Sequence, residues 1–471
     1  MDATTIGKLL LRSVLCGLFA SAALLLASMM VRADLLTATV AYQQEQFDKA
    51  RQEFMQLARL GNVDALYNLG VMNLHGQGQD KDYAKAFAWF SIAADFGLSE
   101  AGSAASLVYQ QLPEQTQLTE LKQQLDNEFG YLSYQHNLQP VFMPHSEQQD
   151  LLAPQRSHFL EPVYPEEAYK KGLEGWVWVE FDIDPSGAVK DLEIIDGYPP
   201  REFERSIYNA VSRWRYQPLL KEGQPQPYHS RSLLYHFSTH KGRRYRESFS
   251  RQSNAYQQRI SELIERAEQG DALVQYYISN WLMTEQSNAA MLLRRHYQQD
   301  YAAGEVLLEA AKNGYALAQY RLGSSLLRGQ LAESDRHKGL NWVLQAAQSG
   351  LAVAQYRLAR EILDSKDVQQ EWQKAARWLA QAAEQGHFRA IRDLAELNLQ
   401  QGLLNDVEPL LQQGLALDDQ HPQLLFIQAR LLTLQGQGKA AKGIGEQALK
   451  QAENREWYRQ DIQNWLTQTG N

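Results

Sequence analysis

One cysteine, Cys16, occurs in 471 residues. No intramolecular disulfide and no cysteine-built metal site can form. There are only 14 prolines and no proline run, which excludes a long, stiff proline-rich spacer. Uncharged stretches long enough to cross a membrane are missing after residue 31, so a polytopic membrane protein is excluded. Positive charge is in deficit: 46 Lys and Arg stand against 55 Asp and Glu, a net charge of −9, which disfavours a general nucleic-acid binder. Catalytic motifs are missing too. No H-E-x-x-H and no G-x-S-x-G is present. Gly76-x-Gly78 and Gly436-x-Gly438 follow no predicted strand, and Gly438-Lys439 is followed by Ala440 where a phosphate loop needs Ser or Thr. His229, His236 and His240 lie around a segment that reads as strand, where they cannot share the helical face a metal would need. No enzyme, cofactor or metal is expected.

What is present fits folded globular material: 44% hydrophobic and 21% charged residues, over a length that suits several domains. Lys8 and Arg12 precede an uncharged stretch, Ser13–Val31, rich in Leu and Ala. Val31 and Ala33 sit where a signal peptidase reads small residues, so residues 1–33 read as a signal peptide cleaved after Ala33. The alternative is an uncleaved anchor, since the stretch would reach about 28 Å as a helix. On either reading the bulk of the chain lies outside the cytoplasm.

The chain then repeats itself. Ala50, Phe54, Gly61 and Ala65 recur as Ala86, Phe90, Gly97 and Ala101, at a spacing of 36. Ala311, Gly314 and Ala318 recur as Ala347, Gly350 and Ala354, then as Ala383, Gly386 and Ala390. Tyr320 returns as Tyr356, and Trp342 as Trp378. A weaker copy at Ala267, Gly270, Gln275 and Tyr276 is offset by 44, which implies an insertion around Glu285–Tyr301. This is a helix-pair solenoid: Ala permits close helix approach, Gly at the unit boundary supplies the left-handed turn, and Tyr, Leu and Trp fill the gaps between units.

Residues 131–158 carry Pro140, Pro144 and Pro154 with little periodicity and read as a linker. Beyond it the period changes. In Trp176–Ile183, Val177, Val179, Phe181 and Ile183 alternate with Glu180 and Asp182, which predicts a half-buried strand. Asp184-Pro185-Ser186-Gly187 is a turn, and Ala188–Ile195 a second strand. Phe203, Ile207, Ala210, Val211 and Trp214 make one stripe of an amphipathic helix. Arg231–Ser238 is a third strand, in which Leu233, Tyr235 and Phe237 alternate with Ser232, Leu234 and His236. The order β-β-α-β predicts a helix packed on a three-stranded antiparallel sheet. Trp176 and Trp178 fall on the face opposite Val177. That face reads as covered by a neighbouring repeat or the preceding segment, with a ligand platform as the alternative. The basic run Lys241, Arg243, Arg244 and Arg246 reads as a solvated linker.

The residues of this middle segment resemble the TonB C-terminal domain family. The resemblance is carried by Tyr164-Pro165, Ala168, Gly172, Gly175-Trp176-Val177-Trp178-Val179-Glu180-Phe181, Gly187-Ala188-Val189, Trp214-Arg215-Tyr216-Gln217-Pro218 and Gly223. The repeats resemble SEL-like repeats, strongly at Val63–Ala101 and Leu307–Leu394 and less so at Thr37–Gly61 and Ile260–Leu282, with an ordinary tetratricopeptide pair over Leu403–Leu466. The expected fold is α+β: a small TonB-like β-β-α-β domain inserted between two all-α solenoids. Its parts are residues 1–33, a repeat array at 34–130, the linker 131–158, the TonB-like domain at 159–239, a basic linker at 240–258, repeats at 259–400 and tetratricopeptide-like helices at 401–471. The TonB resemblance implies a periplasmic protein-interaction scaffold that captures extended peptides by strand addition. The partner-binding residues are then Arg231, Ser232, Leu233, Leu234, Tyr235, His236 and Phe237, with Tyr164 and Pro165 beside them. The implied partners are envelope proteins, among them TonB-dependent outer-membrane receptors. Two alternatives stay open: a membrane-anchored energy transducer working with ExbB and ExbD, and a structural assembly factor that binds no peptide. The internal position of the domain, the lack of a proline spacer, the lack of His in residues 13–31 and Val163 before Tyr164-Pro165 all depart from the family pattern.

Overall fold

The computed structural model of the chain describes residues 35–112, 118–142, 153–238, 257–284, 287–329 and 334–469. The N-terminal segment 1–33 and the basic run from Lys241 to Arg246 lie outside the described residues. The architecture is the expected α+β one, a small sheet domain held between helical repeats.

The repeats form antiparallel helix pairs. Before the sheet come Leu35–Gln43, Phe47–Arg59, Val63–His75, Tyr83–Asp95 and Ser99–Tyr109. After it, a helix over 257–268 and Ala272–Leu282 lead into Ala302–Lys312, Ala316–Arg328, Arg336–Gln348, Ala352–Asp364, Trp372–Glu384 and Phe388–Gln400. Val407–Leu417, Pro422–Leu434, Gly438–Asn454 and Gln460–Thr469 close the array. The boundary glycines hold the left-handed turn, with φ of +78° at Gly61, +83° at Gly314 and +88° at Gly350. A second device repeats with them. Gln275, Gln319 and Gln355 each donate a side-chain amide hydrogen bond to the carbonyl of Ala267, Ala311 and Ala347, at 2.8, 3.2 and 3.1 Å. Each adds a second hydrogen bond to a helix-end carbonyl that also accepts from the boundary glycine, Gly270, Gly314 or Gly350, at 3.1 Å. The insertion inferred around 285–301 carries an extra short helix, Asn288–His296.

The stretch read as a linker from residue 131 begins instead with a helix, Tyr131–Asn137. It docks on the second array: the Trp378 indole donates to the Leu138 carbonyl at 2.8 Å, and Gln348 donates to the Tyr134 hydroxyl at 3.0 Å. Pro140 lies just beyond the end of this helix and does not interrupt it.

The sheet has three antiparallel strands. Gly175–Ile183 is central, the hairpin strand Val189–Tyr198 lies on one side and Tyr228–Phe237 on the other. The turn between the first two is set by Asp184, whose carboxylate accepts from the Ser186 and Ala188 amides. Gly187 is required there: a Cβ would lie 2.0 Å from the Tyr216 carbonyl oxygen. The helix Glu204–Val211 covers one face, and the predicted stripe Phe203, Ile207, Val211 and Trp214 packs on Val177, Val179, Phe181 and Ile183. Two short ribbons were not foreseen, Arg156–His158 with Arg215–Tyr216, and Leu219–Lys221 with Gln224–Gln226.

Close helix approach is most demanding at Gly323 and Gly339, where Ala316–Arg328 crosses Arg336–Gln348. A Cβ on Gly323 would meet the Gly339 carbonyl oxygen at 2.8 Å. Backbone cannot yield as a flexible side chain can, so Gly323→Ala is expected to destabilise the protein by about 1–3 kcal/mol, read as a lower urea midpoint.

Candidate functional site

The central strand is buried along its whole length, and here the expectation of a half-buried strand is corrected. Glu180 and Asp182 are both 0% exposed. Their face does not meet water. It lies on the second helices of the C-terminal repeats, which answers the choice between covered surface and ligand platform for Trp176 and Trp178: both are covered. Trp176 packs edge-on against Tyr276 at 5.9 Å between ring centres, and Trp178 stacks on Tyr320 at 5.6 Å. The Tyr320 hydroxyl donates to the Glu180 carboxylate at 2.8 Å. The repeating tyrosines thus reach the sheet rather than only filling gaps between units.

Further along the solenoid the chemistry changes in step with the strand. One period after Tyr356 stands Arg392. Opposite it the strand has moved from Trp176 and Trp178 to Glu180 and Asp182. Arg392 lies 3.1 Å from Asp182 and is bonded to Asp191 on the hairpin strand. Arg389 lies 3.0 Å from Glu193 and 3.6 Å from both Glu180 and Asp182. Two histidines complete the row. His387 and His421 each cap a helix, accepting a backbone N–H on Nδ1, from Ala390 at 3.2 Å and from Leu424 at 3.4 Å. This leaves Nε2 to face a carboxylate, Glu193 at 2.9 Å for His387 and Asp191 at 2.7 Å for His421.

Burial alone would raise the pKa values of Asp182, Asp191 and Glu193, and the neighbouring basic groups overcome it. Beside His387 and Arg389, Glu193 is held down at about 2. Beside His229, Arg392 and Arg389, Asp182 is held well below the usual carboxylate range. Asp196 is different. Burial pushes it up to about 6, and its Oδ2 atom has no hydrogen-bond partner. His236 is pushed down to about 4 by burial, while its Nε2 lies 2.8 Å from the Asn280 carbonyl, so the neutral ring donates there.

The residues assigned to partner binding divide between the two faces. Leu233, Tyr235 and Phe237 join the core under the helix. Leu234 packs on the solenoid side, and Ser232 accepts from the Trp178 indole at 2.7 Å. Arg231 pairs with Phe181 in the ladder. Tyr164 donates to the Leu173 carbonyl and sets its ring 5.5 Å from Phe237, so it anchors the preceding segment against the end of the strand. Pro165 caps the short helix Glu166–Lys170. Among the described residues, the outer side of Tyr228–Phe237 pairs with no other strand. The hairpin strand, the other edge, is distorted at Asp191, where φ is +52°, and Lys190, Asp191 and Glu193 are all bonded to the C-terminal helices. The clamp was missed in the sequence. Its signal was the replacement of Tyr by Arg at position 392 of the tyrosine column, set against Glu180 and Asp182 at the end of a Trp-bearing face.

Removing Arg389 leaves the fully buried Glu180 and Asp182 with fewer partners, so Arg389→Ala is expected to cost about 3–5 kcal/mol in denaturant unfolding. For Asp196 the folded-state pKa lies above the group's ordinary value of 3.8, so this group favours folding only at low pH and disfavours it as pH rises through 6. Asp196→Asn is therefore expected to stabilise the protein at pH 7 by about 1–3 kcal/mol, with the gain vanishing below pH 4. Thermal melts of both proteins across that pH range check it.

Residues 161–238 match the family described as Gram-negative bacterial TonB protein C-terminal, and residues 63–97, 316–351 and 352–387 match the Sel1 repeat. Protein TonB of Escherichia coli strain K12 is 43% identical over 58 residues, 12% of this chain and 24% of that protein. Protein TonB of Pseudomonas aeruginosa is 37% identical over 62 residues, 13% of this chain and 18% of that protein. The chain thus spans about a quarter or less of the length of these curated relatives. A crystal structure of a Sel1 repeat protein from Oxalobacter formigenes is 20% identical, with a TM-score of 0.35, and covers 42% of this chain and 82% of its own. The chain therefore carries a TonB C-terminal domain at residues 161–238, flanked on both sides by Sel1 repeats.

Proposed function

We propose that this chain is a periplasmic scaffold of TonB-dependent transport, which binds extended peptides of envelope proteins along the outer strand of its TonB domain. The observation that carries this reading is the unpaired outer side of Tyr228–Phe237 among the described residues, in a sheet whose two faces are both covered. An edge strand presents alternate N–H and C=O groups that an added strand can take up. The covering of both faces favours this edge over a face-on mode of binding. A binding role rather than a catalytic one also suits the repeats, whose stacked helices offer further surface to envelope partners. No helix among the described residues is long and apolar enough to cross a membrane.

The test uses the full chain and synthetic peptides copying the N-terminal segment of an outer-membrane receptor. Peptides N-methylated at single positions should alternate: methylation of an N–H that pairs with the edge is expected to weaken binding about tenfold, and methylation of the next residue to leave it unchanged. Calorimetry reads the difference. A loss that ignores this two-residue alternation would rule out strand addition.

A further inference from the structure

The outer strand is not uniform along its length. Residues Arg231 to Phe237 pair one-to-one with Phe181 back to Gly175. The register then slips, with Tyr228 opposite Ile183, so that His229 and Ser230 form a bulge. Ser230 holds φ at +53°, a conformation uncommon for a residue with a side chain. Both of its backbone groups are occupied. Its N–H donates to the buried Asp182 carboxylate at 3.0 Å, and its carbonyl accepts from the Arg328 guanidinium at 2.5 Å. Arg328 belongs to the Sel1 solenoid, at the last position of the helix Ala316–Arg328. At the other end, Phe237 is closed off by the Tyr164 ring.

We infer that Arg328 sets the register of a peptide docked on the outer strand, by ending the usable edge at Arg231. This deepens the strand-addition reading and rests on it. A peptide that slips toward Tyr228 places an N–H beside a carbonyl already taken by a charged donor. That N–H then loses its ladder partner, which disfavours the slipped register. A slip the other way runs past Phe237 and loses ladder bonds. One register is therefore favoured, and its run is Arg231–Phe237. The peptide this run fits has apolar side chains at every second residue, because Leu233, Tyr235 and Phe237 lie on the helix-facing side beside Tyr164. On the intervening side its neighbours are Ser232, Leu234 and His236, over the solenoid. The repeats thus act as a register stop for the sheet they carry, not only as a platform for other partners.

The low cysteine content makes the register directly readable. In a Cys16→Ser background, Ser232→Cys or Leu233→Cys supplies one thiol on the outer strand. Synthetic receptor N-terminal peptides, each with a single cysteine at a different position, are then oxidised onto the full chain. In the otherwise unaltered chain, one peptide position is expected to crosslink about tenfold more than the position two residues away. Arg328→Ala frees the Ser230 carbonyl, and the second position should rise to a comparable yield. Arg328→Lys keeps a donor and should restore the single position. If Arg328→Ala does not fold, Arg328→Met retains the apolar stem and carries the same expectation. A single dominant position that survives in a folded Arg328→Ala or Arg328→Met protein overturns the register stop while leaving strand addition standing. Failure of every peptide to crosslink without any change at Arg328 overturns strand addition itself, and the register stop with it.

Discussion

Four carboxylates on one face of a small sheet, Glu180, Asp182, Asp191 and Glu193, face Arg389, Arg392, His387 and His421 of the solenoid. Charges taken out of water are tolerated only when paired and hydrogen-bonded. Neither side of this contact could remain dry and ionised without the other. The sheet domain and the C-terminal repeats are therefore bound by mutual need, and the gain lies less in net stability than in the position it dictates. A hydrophobic contact such as Trp178 on Tyr320 tolerates some sliding. A row of ion pairs anchored by helix-capping histidines tolerates little, because Nδ1 is committed to the helix and only Nε2 can meet the carboxylate.

The contact also grades along its length. At one end aromatic meets aromatic, at Trp176 and Tyr276; at the other acid meets base, at Asp182 and Arg392. This matched gradient fixes the direction in which the strand lies across the repeats. It places the outer strand over the C-terminal ends of two solenoid helices, where Asn280 holds His236 and Arg328 holds Ser230. One face of the sheet lies under its own helix and the other under the repeats, and among the described residues the outer side of Tyr228–Phe237 pairs with no strand. The hairpin edge is bent at Asp191 and tied down, and on the other edge the solenoid holds the bulge at Ser230.

Much of this was legible in the residues. The thirty-six-residue period gave the helix pairs, because small residues and left-handed glycines have few other uses at such spacing. Alternation gave three strands and the stripe from Phe203 to Trp214 gave the covering helix. Three things were not legible. Tyr131–Asn137 is too short to show a period, and its helix exists because the second array receives it. The short ribbons at 156–158 and 219–226 are set by local pairing rather than by a hydrophobic pattern. The polar residues of the central strand looked like a wet face, since alternation reports polarity and not what a distant segment brings to cover it.

Neighbouring residues were enough to set the local structures and their kinship: which segments turn, which coil and which extend, and the family text of the middle segment. These follow from short-range sterics and from the period of apolar side chains, both written in neighbouring residues. Long-range packing settled that Glu180 and Asp182 are dry, that Tyr164 anchors against Phe237, and that the outer strand bulges at Ser230, whose carbonyl Arg328 holds. Those outcomes depend on desolvation and ion pairing between groups as far apart in the chain as Asp182 and Arg392, and no local pattern encodes which buried charge will find which partner.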